Sequence, residues 1–311
     1  MRCLYTGIPV YQYVGVLVQC PRALHINETA YWSARLLLWH LAVKWLSKYT
    51  SKMARLNSLL RRTGLRKIVV ALTKGGVGKT TTAVNLSAGL AASGFHTLLI
   101  DTDTQGQIST ALGVQPEKGL ADVLSDEISV EEAVTSVRQN LWLLAGGVSL
   151  AGAKRMIARK DFGGEQVLSQ QLEPLEGKFD FVVIDTAPGW DSLSINVLFY
   201  GQELLTPVSL EVLTLQGLLD FSNRISEVQE YHAGLKQKYV LPTFMDRRVK
   251  KSNEILEQLK NYFEPNQICH PIRYSVKISE APGYGQSIYE YAPRSNGALD
   301  YKQLIRKVVA T

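Results

Sequence analysis

A doubly wound α/β fold with a mostly parallel sheet is the class this chain predicts, on three observations. Short apolar runs alternate with helix-like segments from Ile68 onward, as an open parallel sheet demands. The run Ile68-Val69-Val70-Ala71-Leu72 leads into the glycine loop Lys74-Gly75-Gly76-Val77-Gly78-Lys79-Thr80-Thr81, and a helix-like stretch, Thr82 to Ser93, follows. Two further apolar runs end in carboxylates, Asp101 and Asp185, at strand ends where such sheets hold their ligands.

Composition agrees with a globular chain: 311 residues, 46% hydrophobic and 20% charged. The net charge of +6 is uneven, because residues 1–52 hold six Lys/Arg and one acid, Glu28. The remainder carries 28 basic against 27 acidic side chains, so any nucleic-acid contact must come from a local patch. Cys3, Cys20 and Cys269 form no CxxC or Cys/His cluster, which argues against zinc, a disulfide framework or an iron–sulfur cluster and for a reducing, cytoplasmic setting.

Taken in order, residues 1–52 lack the periodicity of the rest, and two readings stand. They are translated upstream sequence before a natural start at Met53, or a native extension with a basic, Trp-rich helix over Tyr31–Tyr49 suited to a membrane surface or a partner. Met53 to Lys67 reads as a short basic helix, and residues 53–311 as one domain. Strands are expected at Ile68–Leu72, Thr97–Asp101, Leu141–Ala145, Phe179–Asp185, Leu204–Val208, Val240–Phe244 and Ile268–Ile272. Several are nearly continuous apolar runs, the mark of strands buried on both faces. Helices include Gln216–Tyr231, Ser252–Tyr262 and, last, Leu299–Val309, which is short and mixed and ends without a basic amphipathic tail, so no membrane contact is expected for 53–311.

Strand, glycine loop and helix form the setting of a phosphate-binding loop. Glycines let backbone N–H groups face a polyphosphate, the helix N-terminus adds positive potential, Lys79 reaches the β- and γ-phosphates, and Thr80 offers a hydroxyl to Mg²⁺. Leu98-Leu99-Ile100-Asp101-Thr102-Asp103 delivers two carboxylates, which strand alternation aims to one side. Phe179 to Asp185 is an apolar strand ending in a lone acid, the arrangement in which the acid holds Mg²⁺ through water.

The loop KGGVGKTT, with its early Lys74, resembles the deviant Walker A loop of the ParA/MinD class of dimerising ATPases. Thr104 stands where that family's DxDPQG segment has proline, and Thr186-Ala187-Pro188 keeps one of two prolines after Asp185. Thr243-Phe244-Met245-Asp246-Arg247-Arg248, Ile272 to Gly285 with Ser279-Glu280-Ala281-Pro282, and Ser295-Asn296-Gly297-Ala298 look like ParA/Soj partition ATPases more than MinD. The resemblance implies ATP and Mg²⁺ as cofactors, Lys74 crossing a homodimer formed on ATP binding, and Asp103 handling the attacking water. It further implies Asp101 behind the Mg²⁺ shell, Asp246 with the nucleotide, and Arg248 and Lys277 on the phosphates of non-specific double-stranded DNA. Arg247, Lys250, Lys251 and Arg273 would widen that patch; the alternative is a solvated basic face. A ParB-like activator, weak intrinsic hydrolysis, chromosome or plasmid partition and a nucleoid-associated location complete the implied picture. The competing readings are a MinD-like membrane-associated positioning ATPase and a ParA-like ATPase with a non-DNA cargo.

Overall fold

The computed structural model describes residues 64–246 and 248–311. The expectations for residues 1–52, for a helix in Tyr31–Tyr49, for a boundary at Met53 and for Arg247 lie outside the described residues. Arg66 and Lys67, expected to end a helix, instead open the first strand.

The strands are β1 (Arg66–Val70), β2 (Thr97–Asp101), β3 (Thr135–Arg138), β4 (Leu141–Leu144), β5 (Phe181–Asp185), β6 (Glu203–Ser209) and β7 (Lys236–Thr243). The helices are α1 (Lys79–Ala92), α2 (Gln107–Leu112), α3 (Leu120–Leu124), α4 (Val130–Ala133), α5 (Leu150–Ala158), α6 (Val167–Leu172), α7 (Ser192–Tyr200), α8 (Val212–Tyr231), α9 (Lys250–Leu259), α10 (Val276–Glu280), α11 (Ile288–Tyr291) and α12 (Asn296–Ala310). One seven-stranded sheet has the order β3-β4-β2-β5-β1-β6-β7, with every pair parallel except β3 with β4.

Period-two alternation divides the strand side chains between two cores. Val69, Leu98, Ile100, Val182, Ile184 and Leu204 cluster with residues of α5, α6, α7 and α8. Their neighbours Ile68, Val70, Leu99 and Val183 are equally buried, on the face over which α1 packs. Each such side chain contributes about 1.5–3 kcal/mol relative to exposure, which is why both faces need helical cover. α12 presents Tyr301, Leu304, Ile305 and Val308 at helical spacing and packs on α1.

Two edge features depart from the sequence expectation. β3 is a short polar strand turned back on β4 through Gln139-Asn140, with Asn140 at φ +61°. Ile268–Ile272 forms no strand: the segment follows the β7 edge through isolated pairings, Val240 with Ile268 and Met245 with Arg273. Pro271 lacks an N–H and breaks the ladder between them.

Arg273, expected on the basic surface, is instead committed to the fold. Its guanidinium donates to Asp300 on α12 at 2.7 and 2.9 Å, its own N–H at 3.0 Å, and Asp300 is fully buried. Removing one partner of such a pair strands a charge out of water. Arg273→Ala should therefore destabilise the protein by about 3 kcal/mol, read as a lower midpoint in chemical denaturation; a midpoint unchanged from the wild type would return Arg273 to the surface patch.

Candidate functional site

The loop between β1 and α1 is shaped by its glycines. Gly76 and Gly78 take φ of +70° and +88°, and Gly78 caps α1 from the left-handed region where a side chain is strained. No side chain caps α1 and no acid lies in its first turn, so its first N–H groups and its positive end are left to an anion. Val77 is buried, and its carbonyl accepts the Thr243 hydroxyl at 2.9 Å, which pins the loop to the end of β7. Phe244, at φ +55°, extends its ring to within 3.8 Å of where a Gly78 Cβ would lie. Lys79 folds back along the loop, its Nζ donating to the Lys74 carbonyl at 2.8 Å. Burial lowers its pKa, while Asp185 and then Asp103 pull it upward.

Strand register brings the acids to this loop. Val70 pairs with Asp185, and Asp185 pairs with Asp101, so the ends of β1, β5 and β2 stand level. Thr102 donates to the Asp185 carbonyl through its N–H at 3.1 Å and its hydroxyl at 2.6 Å, and Thr186 donates to the Val70 carbonyl at 2.9 Å. These two buried threonines lock the three ends together, a role the sequence reading did not assign; each is the first residue beyond a strand-ending acid.

The three carboxylates are treated differently. Asp101 is fully buried; it accepts from Asp103 N–H at 2.9 Å and Ile108 N–H at 3.3 Å, bracing the turn into α2. Burial pushes its pKa up to about 6 against those bonds. Asp103 is half-buried and accepts only from the Gln105 N–H among the described contacts of its side chain. Asp185 is fully buried, and neither of its oxygens meets a donor in hydrogen-bonding geometry. Burial lifts its pKa to about 8, with Thr80 and Lys79 opposing the rise.

An orphaned carboxylate beside a threonine hydroxyl at a phosphate loop fits Mg²⁺ held by one acid, one hydroxyl, water and phosphate oxygens. Among the described residues no group of three or more His, Cys, Asp or Glu side chains is placed to hold a metal ion by itself. A second missed feature is the turn Gly146-Gly147 after β4. A Cβ on Gly146 would stand 2.7 Å from the Asp103 carbonyl and 2.9 Å from the Asp101 carboxyl carbon. A glycine pair directly beyond an apolar run was the available signal.

Lys74 lies at the rim of the loop, 3.7 Å from Glu211. Asp246 follows Phe244 beside the loop, and Arg248 grips it through 2.7 and 3.0 Å hydrogen bonds that hold its pKa down to about 2. Lys277 is exposed and paired with Glu280 at 2.9 Å. Lys250 and Lys251 both face Glu254. Arg248, Lys277, Lys250 and Lys251 are thus on the surface, but each is set against a carboxylate of its own segment.

A family model described as an AAA domain matches residues 65–238. The Bacillus subtilis sporulation initiation inhibitor protein Soj is 34% identical over 78% of this chain and 98% of its own. The Thermus thermophilus chromosome-partitioning ATPase Soj is 34% identical over 80% and 97%. Among solved structures, cobyrinic acid a,c-diamide synthase from Mycobacterium smegmatis, with a bound ATP analogue and magnesium, superposes with a TM-score of 0.68. It is 30% identical and covers 78% of this chain and 93% of that one.

The raised pKa of Asp185 sets a pH dependence. The folded chain keeps a proton that the unfolded chain has released, so stability falls as pH rises from about 4 toward 8. Asp101 shifts in the same direction, which makes a comparison between variants necessary. Asp185→Asn in the nucleotide-free protein should match the wild type's thermal midpoint near pH 4.5 relative to its gain near pH 8, where it should melt several degrees higher. Parallel midpoint curves would mean that Asp185 is not buried as a costly charge.

Proposed function

The chain belongs to the ParA/Soj-type partition ATPases, P-loop proteins that hydrolyse ATP with Mg²⁺, and we propose that it acts as an ATP-timed dimerisation switch on DNA. The observation that carries this reading is the level alignment of Val70, before the phosphate loop, with Asp185 and Asp101, with Asp103 two residues beyond, while the Lys74 ammonium at the loop's rim lies against Glu211. The loop amides and Lys79 hold the phosphates, and Thr80 and Asp185 hold Mg²⁺, with Asp101 supporting that shell by fixing the turn behind it. When bound, Mg²⁺ offsets charge on the phosphate oxygens. Asp103, half-exposed and with carboxylate capacity to spare, orients the attacking water. Asp246, two residues beyond the Phe244 that packs on the loop, contacts the nucleotide in the closed site.

Two copies close face to face on ATP, each giving Lys74 to the other's phosphates. The joint surface carries Arg248 and Lys277 to the phosphates of duplex DNA, which gives affinity without sequence readout. A ParB-like activator triggers hydrolysis and releases the dimer from the nucleoid, moving a chromosome or plasmid. The names of the chromosome-partitioning relatives support this cargo. Among the described residues no helix is long and apolar enough to cross a membrane.

Lys74→Ala should retain ATP binding and lose ATP-dependent dimerisation in light scattering; a variant that still dimerises removes the lysine from the partner's site. Co-sedimentation with non-specific duplex DNA tests the switch: binding is expected with ATP, not ADP, and should weaken with salt. Arg248→Ala and Lys277→Ala should each reduce the salt slope by about one. Binding to anionic liposomes in place of DNA would move the protein to the membrane-positioning reading.

A further inference from the structure

The two acids with which the proposed chemistry works, Asp103 beyond β2 and Asp185 at the end of β5, lead into separate segments, and one helix is tied to both segments. α5 hangs from the Asp103 loop at its front, where Gly147 N–H donates to the Asp103 carbonyl at 3.1 Å and Leu150 N–H donates to the Gly147 carbonyl at 3.0 Å. From its middle, Lys154 reaches the segment beyond Asp185, placing its Nζ 2.7 Å from Asp191 Oδ2. The Ser192 hydroxyl donates back to the Lys154 carbonyl at 2.8 Å, so the junction has two points of attachment. Asp191 divides its carboxylate: Oδ1 accepts the Ser194 N–H at 2.9 Å and caps α7, while Oδ2 faces the lysine.

Register and the Thr102 bonds align the strand ends only as far as Asp101 and Asp185. Beyond them the chain runs through Pro188-Gly189, with Gly189 at φ +134°, a stretch with no regular structure before α7 begins. Among the described contacts the next polar ties between the two segments are the Lys154–Asp191 pair and the Ser192 hydroxyl bond beside it. Lys154 is mostly shielded, its side chain 18% exposed, against 42% for Asp191. A half-exposed ion pair adds little to global stability. One that closes a loop on a reacting centre has a larger effect on rate, because a displacement on the order of 1 Å costs as much as about 100-fold.

We propose that Lys154 is a positioning residue for ATP hydrolysis: through Asp191 it holds the Asp103 loop and the Asp185 loop at their working separation. This rests on the roles given above to Asp103 and Asp185. Lys154 acts through the α5–α7 junction, its ammonium directed to Asp191.

The full chain carrying Lys154→Met, Lys154→Arg, Asp191→Asn or the Lys154→Met/Asp191→Asn pair tests it, with kcat, KM for ATP and thermal midpoint measured together. Asparagine caps a helix as well as aspartate does, so Asp191→Asn removes the charge and keeps the cap. Lys154→Met and Asp191→Asn should each lower kcat about tenfold with KM and midpoint near wild type, Lys154→Arg should recover most of the rate, and the double variant should lose no more than either single one. The proposal is overturned by a wild-type kcat in Lys154→Met, by losses that multiply in the double variant, or by a kcat loss that follows a fallen midpoint. Asp103→Ala separates the two levels. If it hydrolyses normally, the site reading itself fails; if it is inactive while Lys154→Met is normal, only the brace fails.

Discussion

A carboxylate held out of water with no donor in hydrogen-bonding geometry on either oxygen is an expensive thing to keep in a fold, and Asp185, with only the Thr80 hydroxyl beside it, is in that position. Left ionised and unpaired, such a group costs several kcal/mol, and burial accordingly raises its pKa to about 8. The surrounding structure makes this tolerable by being rigid. β5 is flanked on both sides by parallel strands in register, and Thr102 and Thr186 lock the neighbouring ends across it. A cation arriving at this site meets a ligand already placed and already short of a partner. Preorganisation of this kind is what a phosphoryl-transfer site needs, since its work is positioning and charge compensation.

The basic side chains divide by what surrounds their carboxylates. Arg273 faces an acid that has no water, so the pair belongs to the fold and cannot be exchanged. Arg248 and Lys277 face acids that are only partly shielded, on their own segments. Exposed pairs of this kind contribute little, so a phosphate can replace the carboxylate at little cost.

Both edges of the sheet are blunted, in ways that use different chemistry. At one edge β3 is short, polar and antiparallel, and Arg138 ties it outward to Glu290 and to the Gly285 carbonyl. At the other, the segment from Ile268 to Tyr274 covers β7 with scattered bonds interrupted at Pro271. Among the described residues neither edge offers a long ladder to another chain.

The sequence by itself determined the central sheet, the phosphate loop and the acids at the strand ends. Apolar runs buried on both faces, glycines at left-handed positions and lone acids after such runs are local signals, and local signals survive without an alignment. It did not reveal β3, whose Thr-Ser-Val-Arg composition has no apolar alternation and which pairs only because Asn140 turns the chain. It suggested a strand at Ile268–Ile272 from composition, where Pro271 decided otherwise. What only the tertiary structure decided was pairing at long range. Register set Asp185 level with Val70 and Asp101, burial separated Arg273 from Arg248, and packing set Gly146 against the Asp103 carbonyl and Lys154 against Asp191. Each of these joins residues far apart along the chain, and no periodicity or motif records which distant partner a side chain will meet.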